Sequence, residues 1–425
     1  MSQDHKTVNK VIDSFEDKKS LQDYAKQISP LSDVEITQLE EANYSNHPTQ
    51  EGLSERLDFL EEKGISLPYS KGDKQLESPE SLKGNIENFI GMAQIPIGLA
   101  GPLLVNGTDA TGDYYIPLAT TEGALVASYN RGMKACRLSG GITSVCLVEG
   151  VQRCPFFKFE NIGIVGLFAK WVNSSVKVFE EIVSRTSRFA ALKGVRTSIE
   201  GNSVILTFEY TTGDASGQNM VTICTDQICR YILENFEHTP TEWYIESNYA
   251  GDKKATSLSF MNVRGKKVTT EIVLKKEVID KVLKTTPKNI CAYWQSSTLA
   301  VIQSGAIGAQ GHVANGLTAL FISCGQDVAC ISESSVGLTR METTPDGDLY
   351  VSLTLPSLIV GTVGGGTSLP TQQECLKMLD CDGVGKTRRF AEICCAVALA
   401  GEISIAAAMS ANHFTSAHQN LGRKK

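Results

Sequence analysis

The segment IPLATTEGALVASYNRG (116–132) places one carboxylate, Glu122, among small and apolar residues. A carboxylate buried without a partner is costly, so Glu122 serves either at the start of a helix or as a proton carrier. Two threonines precede it and Gly140-Gly141 follow at a helix-length distance. This punctuation predicts a capped helix with Glu122 at its N-terminal end.

A second set of polar residues lies much later in the chain. Lys253 and Lys254 are adjacent in GDKKATS, and Asp327 lies between apolar residues in CGQDVAC. The two lysines are either surface residues, or one of them is the partner of a buried Asp327. His418, in the C-terminal HFTSAHQNLGRKK, is either inert or catalytic.

Three further segments suit phosphate or nucleotide binding. GTVGGGT (361–367) follows a strand-like run, and its glycines either let a ligand approach or form a tight turn. GDASGQN (213–219) precedes a helix, where its residues either bind phosphate or ribose or cap the helix. Ser187 and Arg188 offer a hydroxyl and a guanidinium, or form a solvated helix end.

The usual nucleotide motifs are missing. No GxGxxG follows a strand, and GVGKT (383–387) lacks the first glycine of a phosphate-binding loop because Asp380 occupies that position. A conventional dinucleotide fold is therefore not expected.

Composition narrows the class of protein. The 425 residues are 42% hydrophobic and 20% charged, with a formal charge of −7. These values predict a soluble globular protein and argue against a nucleic-acid or anionic-membrane binder. Twelve scattered cysteines without CxxC or metal-like spacing predict a reduced, cytoplasmic protein with no metal site.

The pattern along the chain predicts an α+β protein in three parts. Residues 1–85 have helical spacing, and 152–247 follow the β-α-β-β-α-β order of a ferredoxin-like domain. That domain is inserted into a larger one formed by 86–151 and 248–425. We expect a helical stretch over 296–320 and a long, buried C-terminal helix, because the apolar run 390–409 contains two glutamates that disfavour a membrane span.

Together these segments resemble the hydroxymethylglutaryl-CoA reductases over residues 86–425. The shared segments, in the same order, are ENFIGMAQIPIGLAGPL, PLATTEGALVAS, GDASGQN, NYAGDKKA, GQD and GTVGGGT. TSRFA and HFTSAH make the chain more similar to class I than to bacterial class II enzymes, and we expect a soluble form without a membrane anchor. The resemblance implies reduction of 3-hydroxy-3-methylglutaryl-CoA to mevalonate by two successive hydrides, and an active site across a homodimer interface.

The resemblance also implies catalytic roles. Each hydride addition creates negative charge on oxygen, which needs a fixed cation and then a proton. Lys253 matches that cation, Glu122 matches the proton donor, and Asp327 matches the acid that joins them in one network. Glu122 would be kept protonated by apolar surroundings. His418 matches the histidine that protonates the departing thiolate.

The binding residues that the resemblance implies fall into two sets. The cofactor set favours NADPH over NADH, because Ser187 and Arg188 match the pair that holds a 2′-phosphate; its other members are Asp214, Ser216, Gly217, Asn219, Gly364, Gly365 and Gly366. The substrate set comprises Ser128, Asn130 and Arg131 around CoA, and Arg153, Asn248, Lys254, His312 and Asn315 around the acyl group or the lysine.

Four departures from the family pattern concern these sets. Gln295 occupies the position of a lysine that grips the free carboxylate of the substrate, and Lys288 or Arg153 would have to replace it. Glu246 stands where a serine is expected, and Ser216 and Gln218 replace apolar residues. Losing a charge-assisted contact costs about 1.5–3 kcal/mol. A reductase of a different acyl-CoA and a non-catalytic ligand-binding homologue therefore stay open as alternatives.

Overall fold

The structure, a computed structural model, describes residues 5–411. The chain begins with five helices: α1 (His5–Glu16), α2 (Leu21–Gln27), α3 (Asp33–Thr37), α4 (Gln50–Glu62) and α5 (Pro68–Lys71). Ser20, Ser32 and Thr49 cap α2, α3 and α4 through their side-chain oxygens. The helices predicted within the first 85 residues are therefore present.

The remaining elements follow in chain order. They are β1 (Ile97–Gly107), β2 (Thr111–Ala119), α6 (Leu125–Leu138), β3 (Ile142–Arg153), β4 (Phe156–Lys158), α7 (Ile162–Thr186), β5 (Ala191–Glu200), β6 (Ser203–Thr211), α8 (Gln218–Asn235), β7 (Glu242–Tyr244), β8 (Gly265–Leu274), α9 (Lys276–Val278), α10 (Pro287–Ser304), α11 (Val313–Ser323), α12 (Ile331–Ser334), β9 (Leu338–Thr343), β10 (Leu349–Leu358), α13 (Pro370–Met378) and α14 (Thr387–Ser410).

The segment from β4 to β7 has the predicted β-α-β-β-α-β order. Its strands lie in the order β7-β4-β6-β5, all neighbours being antiparallel, and α7 packs against α8. The β5–β6 hairpin turns at Gly201, whose φ of 56° suits a residue without Cβ. This segment has its own aromatic-rich core, separate from the main one.

The larger part is built on a mixed sheet. Its strands lie in the order β2-β1-β3-β8-β10-β9, with only the β1–β3 pair parallel. The helix α14 packs against α6, α11 and this sheet. The α+β class is confirmed. The helical stretch expected over 296–320 is corrected to two helices, α10 and α11, because Gly305 ends α10 with a φ of 72°.

Two of the described helices, α7 and α14, are long and apolar enough to cross a membrane by length and composition alone. In α14, 83% of the most apolar stretch is buried inside the protein, as expected for a core helix. The corresponding share in α7 is 28%, and α7 packs on α8 and β5.

Two buried glutamates of α14 hold loops from the inside of the protein. Glu392 accepts hydrogen bonds from the amides of Asp109, Ala110 and Cys146 at 2.8–3.1 Å. Burial raises its pKa to about 7 against this donation. Glu402, the other glutamate of this helix, accepts hydrogen bonds from the amides of Gly311, His312 and Val313, so both buried carboxylates have backbone donors.

Glu392 should make stability depend on pH. Its folded-state pKa of about 7 exceeds the ordinary 4.5, so its stabilising contribution is present at low pH and is lost as pH rises through 7. Urea unfolding gives the free energy of unfolding of the wild type and of Glu392→Gln at each pH. The difference, wild type minus variant, should fall by up to about 3 kcal/mol between about pH 4.5 and pH 8. A constant or rising difference would contradict the buried, protonated carboxyl.

Candidate active site

Lys253 lies in the loop between β7 and β8 and points its ammonium at Asp327. The Lys253 Nζ to Asp327 Oδ2 distance is 2.9 Å, and the two side chains are 47% and 44% exposed. The predicted pairing is present, but Asp327 is half-exposed rather than buried. The hydrogen bond with Asp327 raises the pKa of Lys253. Burial opposes ionisation of Asp327, yet the bonds from Lys253 and the Ala329 amide outweigh it and lower the Asp327 pKa.

The Lys253 backbone is held in an uncommon conformation. Its φ is 55°, in the left-handed region that costs an L-residue about 1–2 kcal/mol. Asn248, at the start of the same loop, also has a positive φ of 65° and accepts a hydrogen bond from Lys254 Nζ at 3.0 Å. The lysine loop (248–254) is therefore a compact turn that positions both lysines.

Buried ion pairs lie beneath the lysine loop. Arg153, 7% exposed, pairs with Glu246 at 3.1 Å and with Asp252 at 3.3 Å. Arg264, 3% exposed, pairs with Asp252 and Glu333. The suggestion that Arg153 alone grips a substrate carboxylate is not supported by this geometry, because two carboxylates of the chain already pair with its guanidinium.

The cofactor segments predicted from the sequence meet beside this cluster. Gly361 lies so close to Ser216 that an added Cβ would come within 2.6 Å of the Ser216 amide nitrogen. Gln326 binds both backbone groups of Gly361, at 2.9 and 3.0 Å. Since Asp327 follows Gln326 directly, GDASGQN and GTVGGGT converge near the Lys253–Asp327 pair.

Asp214 has a structural role in this arrangement. Its carboxylate accepts hydrogen bonds from the Gly385 amide at 2.8 Å and from the amide and hydroxyl of Thr387 at 3.2 and 2.9 Å. Although burial opposes ionisation, these donors lower the pKa of Asp214. Asp214 thus joins the β6–α8 loop to the start of α14. Gly217 caps α8 with a φ of 81°, so Asn219 lies in the first turn of α8.

Ser187 and Arg188 lie at the end of α7, as predicted. Ser187 Oγ accepts hydrogen bonds from the amides of Phe189 and Ala190 at 3.2 Å, whereas Arg188 is exposed and, within residues 5–411, forms no ion pair. Ala191 pairs with Thr211 across the β5–β6 hairpin. Arg188 and the GDASGQN loop therefore leave the same end of that hairpin.

Glu122 belongs to a different cluster. Its Oε2 accepts a hydrogen bond from Asn315 Nδ2 at 2.8 Å, and the two residues line a cleft of about 370 Å³ with Ile95 and Ile322. Glu122 is exposed and lies before α6, which begins only at Leu125. In the single chain, the expectation that Glu122 is buried is therefore wrong. The expectation that Glu122 lies at a capped helix start is also wrong, because Ala124, with a φ of 70°, precedes the helix and no side chain caps it.

His312 stands behind this acid cleft. His312 is 6% exposed, and its ring stacks on that of Tyr129 with the ring centroids 4.7 Å apart. Within the described part of the chain, its buried Nε2 has no hydrogen-bond partner. Burial lowers its pKa to about 4, so the imidazole is neutral near pH 7. Glu402 of α14 accepts the amides of His312 and Val313 at 2.6 and 2.9 Å, which fixes the start of α11.

The residues predicted to contact CoA lie on α6 and are bound to the scaffold. Arg131 donates to the Ser404 carbonyl at 2.7 Å, and Ser128 Oγ lies 3.0 Å from Ser404 Oγ. Asn130 accepts the Gly101 amide at 2.9 Å. These contacts orient the helix next to the acid cleft.

The two clusters lie at opposite ends of α11. Asn315 is in its first turn, whereas Asp327 follows its last residue, Ser323. A rise of 1.5 Å per residue puts about 12 Å of helix between Asn315 and Ser323. Within residues 5–411 of one chain, no hydrogen bond or ion pair joins Glu122 to Lys253 or Asp327. In the single chain, Glu122, Lys253 and Asp327 therefore form two separate clusters instead of the one network that was expected.

Some predicted residues lie outside these clusters. His418 falls outside the described residues. Gln295 and Lys288 are exposed on α10. No group of three or more metal-ligating side chains occurs within 5–411. Three structural participants were missed by sequence reasoning: Arg264, Glu333 and Glu402. Their neighbours in sequence carry no motif, although the two charges of α14 in an apolar run signalled that Glu402 needs a buried partner.

Comparisons with known proteins show which family the chain belongs to. Residues 52–423 match the family described as hydroxymethylglutaryl-coenzyme A reductase. The 3-hydroxy-3-methylglutaryl-coenzyme A reductase of Pyrococcus horikoshii is 41% identical over 93% of this chain and 97% of its own length. The Aeropyrum pernix enzyme of the same name is 44% identical over 82% of this chain and 84% of its own.

A solved structure also resembles the fold. The class II 3-hydroxy-3-methylglutaryl-CoA reductase from Streptococcus pneumoniae, bound to NADPH in open conformations, matches with a TM-score of 0.67 at 18% identity. The match covers 89% of this chain and 100% of that one. The chain is an α+β oxidoreductase. It belongs to the hydroxymethylglutaryl-coenzyme A reductase family.

Asp214→Ala should destabilise the protein. It removes three hydrogen bonds to a carboxylate at the start of α14, and hydrogen bonds to charged groups contribute about 1.5–3 kcal/mol each, not additively. We expect a loss of at least about 2 kcal/mol in urea unfolding. Asp346→Ala, at an exposed position in the turn between β9 and β10, serves as the control. Wild-type stability in Asp214→Ala would contradict the anchoring role.

Proposed function

We propose that this protein reduces 3-hydroxy-3-methylglutaryl-CoA to mevalonate and CoA with two hydrides from NADPH. One observation carries the proposal: the Lys253–Asp327 pair lies beside the convergent 213–219 and 361–367 loops. A fixed cation next to a site for a hydride donor is what thioester reduction requires. Family membership supports the same activity.

The proposed mechanism assigns a task to each polar group. Lys253 stabilises the negative charge that forms on the reacting oxygen, and Asp327 orients the lysine. Glu122, whose carboxylate is held by Asn315, donates the proton to that oxygen. His418 protonates the leaving thiolate. The neutral His312 and the lysine loop shape the space around the acyl group.

NADPH supplies the hydrides when bound, and the chain offers residues that suit it. Gly364 and Gly365 have positive φ values and no neighbouring atoms within 4 Å of an added Cβ, so a ligand can approach the backbone. Ser216, Gly217 and Asn219 border the same loop. The exposed Arg188 beside Ser187 suits a 2′-phosphate, because a guanidinium binds phosphate oxygens in a bidentate manner.

The acid and the cation would meet across a homodimer interface. The separation of the two clusters along α11 favours pairing Glu122 of one chain with Lys253 of another. Apolar side chains suited to such an interface are exposed on α10 and on the segment that leads to Ile95 of the acid cleft, namely Ile90 (101%), Met92 (54%), Leu299 (63%) and Ile302 (71%). A second chain would also cover Glu122 and supply the apolar surroundings that a proton donor needs.

We place the enzyme in the cytoplasm, with an acyl-CoA substrate and no nucleic-acid or membrane partner. All twelve cysteines are free thiols, and eleven of them are buried. A set of buried thiols suits a reducing compartment.

Initial-rate assays of reduced-cofactor absorbance test the activity and the cofactor. We expect turnover with 3-hydroxy-3-methylglutaryl-CoA and NADPH, and Arg188→Ala should raise the KM for NADPH about tenfold or more while changing that for NADH little. Lys170→Ala, on the exposed side of α7, is the control.

The same assay decides between the alternatives. A clear preference for thioesters with neutral tails would favour the reductase of a different acyl-CoA, to which Gln295 and the paired Arg153 point. If well-folded protein fails to oxidise NADPH with every acyl-CoA tested, the protein is a non-catalytic homologue.

Mixing two inactive variants tests the shared site. In a heterodimer of Glu122→Gln and Lys253→Met, one of the two sites keeps both wild-type residues, so free subunit exchange should restore about one quarter of wild-type activity. If both residues act within one chain, the mixture stays inactive. Native mass spectrometry of the mixture, with one variant labelled with ¹⁵N, establishes that subunits have exchanged.

A further inference from the structure

Glu333 is a buried carboxylate next to the lysine loop that the proposed chemistry does not use. Its side chain is 0% exposed and lies on α12, the short helix after Asp327. Glu333 Oε1 accepts hydrogen bonds from the Lys253 amide at 3.1 Å and from Arg264 Nε at 3.4 Å. Burying a carboxylate costs free energy unless hydrogen bonds or ion pairs replace its contacts with water.

These contacts hold Lys253 at two points. The ammonium binds Asp327 at 2.9 Å, and the amide binds Glu333. Both acceptors come from one short stretch, the 3₁₀ turn Val328–Cys330 with its flanking residues and α12. The left-handed φ of 55° at Lys253 is unfavourable for a residue with a Cβ, so it persists only where surrounding bonds hold it.

Arg264 binds the same oxygen of Glu333 that accepts the Lys253 amide. Besides Glu333 it binds Asp252, the Gln152 carbonyl at 3.1 Å and Gln218 Oε1 at 2.7 Å. Gln218 begins α8 directly after the Gly217 cap. One buried guanidinium therefore connects the cofactor segment to the carboxylate that holds the lysine.

We propose that Glu333 is a positioning residue for Lys253: its carboxylate holds the Lys253 amide and thereby keeps the ammonium on Asp327, where the reacting oxygen binds. This inference rests on the proposed role of Lys253 as the cation. Glu333 does not touch the reacting atoms, and releasing the amide redirects the lysine side chain.

Two variants of similar volume separate the hydrogen bond from the packing. Glu333→Met fills the space without an acceptor, whereas Glu333→Gln keeps an oxygen for the Lys253 amide; both remove the charge that pairs with Arg264. We expect kcat to fall about tenfold or more in Glu333→Met and about threefold or less in Glu333→Gln, with KM values changed less than about twofold. Glu392→Gln, an equally buried carboxylate on α14, should keep the wild-type kcat.

Lysine labelling gives a readout that does not depend on turnover. Asp327 raises the pKa of Lys253, so a lysine displaced from Asp327 has more free amine at alkaline pH. Labelling of full-length protein with acetic anhydride, quantified by peptide mass spectrometry, should increase several-fold at Lys253 in Glu333→Met relative to the exposed Lys170. In Glu333→Gln the increase should be smaller.

The outcomes separate this inference from the proposed function. Equal kcat values and equal Lys253 labelling in the Met and Gln variants overturn the positioning role. A lower kcat with unchanged labelling also overturns it, because Glu333 then acts by another route. Full activity of Lys253→Met would overturn the proposed function, whatever the labelling shows at Glu333.

Discussion

Carboxylates that accept hydrogen bonds from backbone amides hold the loops of this protein in place, and the candidate site depends on these carboxylates. Glu402 binds the start of α11, Asp214 binds the start of α14, and Glu333 binds the amide of Lys253. Glu374 does the same for the N-terminal region, since it accepts the amides of Tyr69 and Ser70 at 2.7 and 2.9 Å. Loops have few backbone partners of their own, so a buried acceptor fixes their position, and losing it leaves amide donors unsatisfied.

This arrangement explains why the polar groups of the site can be half-exposed and still precise. Lys253 and Asp327 are about half-exposed, as the proposed reaction requires, while the backbone of the lysine is held by groups that are buried. A long lysine side chain alone would lose orientation through its rotamer freedom. Because the amide of Lys253 is held as well as its ammonium, the lysine keeps its orientation although its side chain is half-exposed.

The separation of the acid cleft from the lysine loop has a comparable logic. Each cluster is complete in its own bonds, Glu122 with Asn315 and Lys253 with Asp327, whereas the mechanism that we propose needs both clusters. A reaction that needs a cation and a proton donor at one oxygen then requires the two clusters to meet. The exposed apolar residues on the segment that leads to Ile95 of the cleft and along α10 would stabilise the proposed homodimer, because burying apolar surface stabilises association.

The sequence alone determined what depends on local pattern and on residue type. Hydrophobic periodicity predicted the ferredoxin-like segment and the buried α14, and motif order predicted the family together with the Lys253–Asp327 partnership. Only the tertiary structure decided which carboxylates serve as anchors, because Glu333 and Glu402 act through amides that are distant in the chain and carry no side-chain signature. Only the tertiary structure revealed that Glu122 and Asp327 are exposed to solvent, and that the buried Arg153 pairs with two carboxylates of the chain. Burial and pairing depend on which distant segments pack together, and no local pattern contains that information.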